Sequence, residues 1–393
     1  MALFWRRVSG RQGDWFPQPL GILRSIETLK LLIIAGARPN FMKVAPIIKA
    51  ARAHNAQARN GQVQLDCHLV HTGQHYDQKM SGAFFEELGI QAPDVNLEVG
   101  SGSHAVQTAN IMTKFEPICL QAAPDWLVVV GDVNSTMACT LVCSKLGIRV
   151  AHVEAGLRSF DRTMPEEVNR IVTDSLADLL LTPSADADAN LKREGIPADK
   201  IRLVGNVMID TLVANIDKAR KNPILQKLGL ASKGFAYVTL HRPSNVDQEQ
   251  SLSGIMARLN KLAEDLPIVF PMHPRTRKML ARFGLSPASN KAFRILDPVG
   301  YLDSLALIEN ARLVLTDSGG LQEESTFFQT PCLTLRPNTE RPVTITLGSN
   351  RLTTLERLSV DLDHALKGPK RAGHIPLLWD GKAAPRIIDA LIG

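Results

Sequence analysis

The feature that most constrains this chain is a repeated alternation between short, continuous apolar runs and longer segments with helical patterning. A first series comprises residues 30–36 (KLLIIAG), 67–73 (CHLVHTG), 126–132 (WLVVVGD), 149–154 (RVAHVE), 179–184 (LLLTPS) and 201–206 (IRLVGN). A second comprises residues 235–242 (FAYVTLHR), 267–274 (PIVFPMHP), 293–298 (FRILDP), 312–318 (RLVLTDS) and 332–336 (CLTLR). Runs that are apolar at every position read as strands covered on both faces, and the helices between them make those strands parallel. Two such series predict an α/β chain of two Rossmann-like, doubly wound domains, which the length of 393 residues accommodates.

The expected division is an N-terminal extension over 1–28, a first domain over 29–206, a second over 207–378, and a closing helix over 379–393 that can cross back onto the first domain. The extension is basic and aromatic but lacks the apolar stretch and small-residue cleavage site of a secretory signal, so it reads as a mobile extension. Polar residues gather where the runs end: His71, Asp132, Glu154, His241, Arg242, His273 and 317–320. Open parallel sheets bind ligands at the carboxyl ends of their strands. Two sheets facing each other would bring these groups to one interdomain cleft.

Composition narrows the function. No apolar run reaches the ~18 residues of a spanning helix, which argues against a membrane protein. A net charge of +6, only 5% aromatic residues and no basic run give little support to nucleic-acid binding. The five scattered cysteines predict a reduced, cytoplasmic setting rather than a disulfide framework. Cys139 and Cys143 stand one helical turn apart without a second pair or a His cluster, so they read as core residues and not as a zinc site.

The strand ends carry the chemistry. In 316–324 (TDSGGLQEE) a strand passes through Ser318, Gly319 and Gly320 into a helix, a geometry that offers free N–H groups and a helix dipole to an anion. Glu323 and Glu324, one turn in, can accept hydrogen bonds from ribose hydroxyls. The first strand ends in Gly36-Ala37-Arg38-Pro39-Asn40, without the G-x-G-x-x-G of a dinucleotide fold, which argues against NAD. Arg38 and Lys43 can instead clamp a pyrophosphate. Acid and base candidates are Asp132, Glu154, Glu166, Glu167, His241 and His273. Glu166 and Glu167 also suit the start of a helix after Pro165, where negative charge meets the dipole.

Taken together, residues 36–48 (GARPNFMKVAPII), 71–77 (HTGQHYD), 130–136 (VGDVNST), 152–170 (HVEAGLRSFDRTMPEEVNR), 205–212 (GNVMIDTL), 239–247 (TLHRPSNVD), 316–325 (TDSGGLQEES) and 336–342 (RPNTERP) resemble the non-hydrolysing UDP-N-acetylglucosamine 2-epimerase family. The resemblance spans roughly residues 30–390. It implies a GT-B-like fold, usually dimeric, with a UDP-sugar bound between the domains and no metal or redox cofactor. By motif it assigns catalysis to Asp132, Glu154, Glu166 and His241. Arg38, Lys43, Ser318, Gly319 and Gly320 fall to the diphosphate, Glu324 to the ribose, and Arg341 to the nucleotide side. Arg170 and His273 complete the cleft. The implied reaction eliminates UDP to 2-acetamidoglucal and adds it back with inversion at C2, which needs two proton-transfer groups or one that moves.

Two departures stand out. Many bacterial relatives carry Q-H-x-Q at a regulatory site, where this chain has Gln74-His75-Tyr76-Asp77, so activation by substrate is expected to be absent. Ser304 stands where relatives often place an aromatic near the uracil, so base stacking is expected either to be weaker or to come from Tyr301. A hydrolysing epimerase, a GT-B glycosyltransferase and a non-catalytic nucleotide-sugar binder are the competing readings.

Overall fold

The computed structural model describes residues 28–59, 62–73, 92–286, 292–368 and 373–393. Among them a first sheet contains β1 (Thr28–Ala35), β2 (Gln64–His71), β3 (Val95–Asn96), β4 (Trp126–Val130), β5 (Arg149–Val153), β6 (Leu179–Thr182) and β7 (Ile201–Leu203). Its order is β3-β2-β1-β4-β5-β6-β7, with every pairing parallel. A second sheet contains β8 (Ala236–Thr239), β9 (Ile268–Pro271), β10 (Phe293–Leu296), β11 (Leu313–Thr316), β12 (Cys332–Leu335) and β13 (Asn350–Thr353), in the order β10-β9-β8-β11-β12-β13, again parallel. This is the pair of Rossmann-like domains expected, in the GT-B-like arrangement.

Helices cover both faces of the first sheet, which explains the unbroken apolar strands. Leu31, Ile33, Val128 and Val153 pack beneath α1 (Arg38–Gln57), while Leu32, Ile34, Leu127 and Val129 face α2 (His104–Ala122) and α3 (Asn134–Lys145). Cys139 and Cys143 belong to the second of these layers and are fully buried, as core residues should be. In the second sheet Val238, Phe270 and Leu315 pack with Leu252, Ile255 and Leu259 of the helix Glu249–Asp265.

The last helix, Ala383–Ile392, places Ile387, Ile388 and Leu391 in the core that contains Leu31 and Val44. Asp210 fixes its entry by accepting from the N–H groups of Ala383 at 3.0 Å and Ala384 at 2.7 Å. Where the chain leaves the first sheet, Gly205 takes a left-handed φ of 91°, and a Cβ there would meet the Leu378 carbonyl oxygen at 2.1 Å. Glycine is required at this close approach.

The strand orders fix where a ligand belongs. The first sheet reverses between β1 and β4, and the second between β8 and β11. Crevices open at such switch points, beyond the carboxyl ends of the strands. The residues that follow these strands include Lys43, Asp132, His241, Arg242 and 317–320.

Candidate active site

At the first switch point the turn into α1 is tied down by Asn40. Its Oδ1 accepts from the N–H groups of Gly36 at 3.2 Å and Ala37 at 2.8 Å, and its Nδ2 donates to the Val130 carbonyl at 3.1 Å. This staple joins the ends of β1 and β4 and presents Lys43 one turn into the helix. Lys43 is buried and pairs with Glu154.

Glu154 follows β5 directly and is 3% exposed, with a left-handed φ of 69°. A side chain in that region carries strain that the surrounding structure must sustain. Here the Glu154 N–H donates to the Leu181 carbonyl at 3.1 Å and fixes the turn. One carboxylate oxygen accepts from Lys43. The other has no hydrogen-bond partner among the described residues and lies 3.9 Å from Arg341 Nη2. Burial pushes its pKa up, but the charges of Lys43 and Arg341 outweigh this and hold the group below its ordinary value.

Asp132, after β4, pairs with Arg170 and is about one-third exposed. Arg170 is itself buried and donates to Glu167 through Nε at 3.0 Å and Nη2 at 2.5 Å. Glu167 also accepts from the Ser159 N–H at 3.0 Å and the Phe160 N–H at 2.8 Å. The adjacent carboxylates of the helix Pro165–Leu176 therefore part company: Glu166 lines the cleft, and Glu167 turns back to anchor Arg170.

The second switch point supplies an anion site. Ser318, Gly319 and Gly320 open the helix Gly319–Phe327, and all three line the cleft. A Cβ on Gly320 would meet nothing within 4 Å, so the backbone faces open space. Arg341 spans the floor, donating to Glu323 through Nε at 2.6 Å and pairing with Glu340 through Nη1. Glu323 is raised above its ordinary pKa by burial, with Glu154 adding repulsion. Glu324 is pushed up to about 8 by burial and by Glu323.

Groups from the two domains meet in one cavity of about 470 Å³. Lys43, Asp132, Glu166 and Arg170 line it from one side; Ser318, Gly319, Gly320, Glu324 and Arg341 line it from the other. The size suits a small-molecule site with a few converging polar groups. Glu154 lies just behind, touching the lining residues Lys43 and Arg341. His241 and His273 flank the cavity rather than line it, with ring centroids 5.5 Å apart. His241 Nδ1 is 2.8 Å from Asp317. His273 caps the helix Pro274–Arg282, its Nδ1 accepting from the Arg275 N–H at 3.1 Å. Burial and the nearby His241 lower its pKa.

The Arg38 side chain and residues 74–77 lie outside the described part of the structure. Tyr301 and Ser304 both border the cavity, and Ser304 Oγ bonds the Tyr237 hydroxyl at 3.0 Å. From sequence, Arg242 and Asp317 are only strand-end polar residues and Glu323 only a candidate ribose acceptor; the structure adds the contacts of Asp317 with His241 and of Glu323 with Arg341. The signals were present in the His-Arg-Pro turn after β8 and in the Asp that opens the Ser-Gly-Gly segment.

Comparison with known proteins places this geometry. The family model described as UDP-N-acetylglucosamine 2-epimerase matches residues 57–392. A UDP-N-acetylglucosamine 2-epimerase of Methanocaldococcus jannaschii is 45% identical over 372 residues, covering 92% of this chain and 99% of the relative. A Pseudomonas aeruginosa UDP-2,3-diacetamido-2,3-dideoxy-D-glucuronate 2-epimerase is 41% identical over 368 residues, with the same coverage of 92% and 99%. The crystal structure of the M. jannaschii UDP-GlcNAc 2-epimerase in complex with UDP-GlcNAc and UDP superposes with a TM-score of 0.83 at 43% identity, covering 92% of this chain and 99% of that one. With its sequence and its fold matched along nearly the whole length, the chain belongs to the UDP-N-acetylglucosamine 2-epimerase family.

Proposed function

We propose that the protein interconverts UDP-N-acetylglucosamine and UDP-N-acetylmannosamine without hydrolysis. The observation that carries this reading is Glu154: a buried, ionised carboxylate on a left-handed backbone, set between a cation from each domain. Such strain is sustained where a side chain must be aimed.

In the first half-reaction a carboxylate takes the C2 proton, and the C2–H electrons form the C1=C2 bond of 2-acetamidoglucal. The C1–O bond breaks, and its electron pair leaves with UDP. Lys43, Arg341 and the backbone N–H groups around Ser318, Gly319 and Gly320 stabilise the charge that develops on the diphosphate. In the second half a proton reaches C2 from the opposite face while a UDP oxygen bonds to C1. Asp132, Glu154, Glu166 and His241 are the proton-transfer groups in this proposal. Arg38, Arg170, His273 and Glu324 complete substrate binding, with Glu324 at the ribose.

A second reading of the substrate has one observation behind it: the P. aeruginosa relative acts on a 2,3-diacetamido glucuronate. The C2 chemistry would be the same. Product analysis by anion-exchange chromatography after incubation with either UDP-sugar decides between these readings. The proposal expects UDP-N-acetylglucosamine to give UDP-N-acetylmannosamine with no free UDP accumulating. Stoichiometric UDP and free sugar would assign hydrolysis instead, and turnover of the uronate alone would move the substrate to the second reading.

A further inference from the structure

The second switch point holds a side chain that the reaction as proposed has not used. β8 and β11 are neighbours whose last paired residues, Thr239 and Thr316, bring their hydroxyls to 2.7 Å. Beyond them the chains diverge toward His241 and Asp317. Asp317 is fully buried. One of its oxygens accepts from the Arg242 N–H at 2.8 Å, the His241 N–H at 3.0 Å and Asn245 Nδ2 at 3.0 Å. The other faces His241 Nδ1 at 2.8 Å and the His241 N–H at 3.2 Å.

We propose that Asp317 is a positioning residue for the epimerisation, holding His241 in the tautomer that leaves Nε2 open for proton transfer. The inference rests on His241 taking part in the reaction. An ionised carboxylate only accepts hydrogen bonds. Burial pushes the Asp317 carboxyl up, but His241, the Arg242 N–H and Asn245 bring it below its ordinary value, so it is ionised. His241 must therefore donate from Nδ1, and the Nε2 lone pair is free. When His241 accepts a proton from the reacting sugar, that lone pair forms the new N–H bond. The C2–H electrons become the C1=C2 bond as the C1–O pair leaves with UDP, and the Nδ1–H bond to Asp317 is not broken. Asp317 then matches the positive charge on the ring, as buried aspartates do in Asp–His pairs.

The same contacts dictate what an amide would do. In Asp317→Asn the carbonyl oxygen is claimed by the backbone N–H groups and Asn245, leaving the NH2 to face His241 Nδ1. The ring must then accept at Nδ1 and carry its proton on Nε2, the wrong end for a base. Nitrogen-15 NMR of His241 in the otherwise unaltered protein is expected to show the Nδ1–H tautomer. The Nε2–H tautomer there would overturn the proposal whether or not any variant folds. In Asp317→Asn the tautomer is expected to invert and kcat to fall roughly 100-fold or more, with KM and UDP affinity held within about threefold. Unchanged kcat, or parallel losses in kcat and UDP affinity, would contradict a positioning role. Unimpaired turnover in His241→Gln would instead remove His241 from the reaction, a different failure from an inert Asp317→Asn beside an inactive His241→Gln.

Discussion

Between β1 and β4 the first sheet reverses its strand order, and between β8 and β11 the second does the same. The two crevices share a topology and differ in the side chains placed at the strand ends. The first presents Asp132, Glu154 and Glu166 around Lys43 and Arg170. The second presents an open Ser-Gly-Gly turn, Arg341 and the His241–Asp317 pair. The first crevice is rich in carboxylates that can move protons, while the second receives an anion and adds one histidine to the proton-transfer set. An elimination that expels a diphosphate needs both, and needs them to face each other.

The sharpest way to break this contrast is Glu154→Gln. If the first crevice performs proton transfer, C2 exchange falls by roughly 1,000-fold, and calorimetric UDP affinity stays within about threefold. Loss of UDP binding with retained exchange would invert the assignment. The second crevice is probed by Gly320→Ala. The added methyl meets no protein atom within 4 Å, and alanine favours a helix over glycine by about 0.5–1 kcal/mol. Thermal stability is therefore expected to hold or rise, while UDP affinity drops roughly tenfold or more as the methyl blocks the helix N-terminus. Full affinity in this variant would move the phosphate elsewhere.

A smaller effect comes from Glu324. Its folded-state pKa of about 8 exceeds the ordinary 4.5, so the folded protein keeps a proton that the unfolded chain releases. The resulting stabilisation is complete below about pH 4.5 and is lost as the pH rises through about 8. Glu324→Gln keeps the neutral shape, so the ligand-free variant is expected to lose less stability than the parent between about pH 5 and about pH 9. Parallel melting curves across that range would refute the buried, protonated carboxyl.

Much of this frame was legible in the sequence because central strands buried on both faces must be apolar throughout, as Trp126–Val130 is. Two of the four edge strands escaped for the converse reason. Val95–Asn96 has two residues and Asn350–Thr353 reads NRLT, so neither offers an apolar run. The site was legible as a set of strand ends, but not in its division of labour. Consecutive helical residues point about 100° apart, so Glu166 and Glu167 need not share a role, and sequence alone did not say which one faces the cleft. His273 was legible as a strand-end group of the cleft, but its part in capping a helix was not. The helix that begins at Pro274 uses its Nδ1 as a cap. Asp317 was legible as a strand-end residue but its contacts were not, because its partners, His241 and Arg242, lie some 75 residues away along the chain.

The central step is proton exchange at C2, with Glu154 of the first crevice required for it, while UDP is retained. Incubation with UDP-N-acetylglucosamine in heavy water, followed by proton NMR, measures this directly. The account predicts deuterium at C2 in the UDP-N-acetylmannosamine formed, with UDP still attached and with the exchange lost in Glu154→Gln. An epimerised product that keeps its original C2 proton would contradict it.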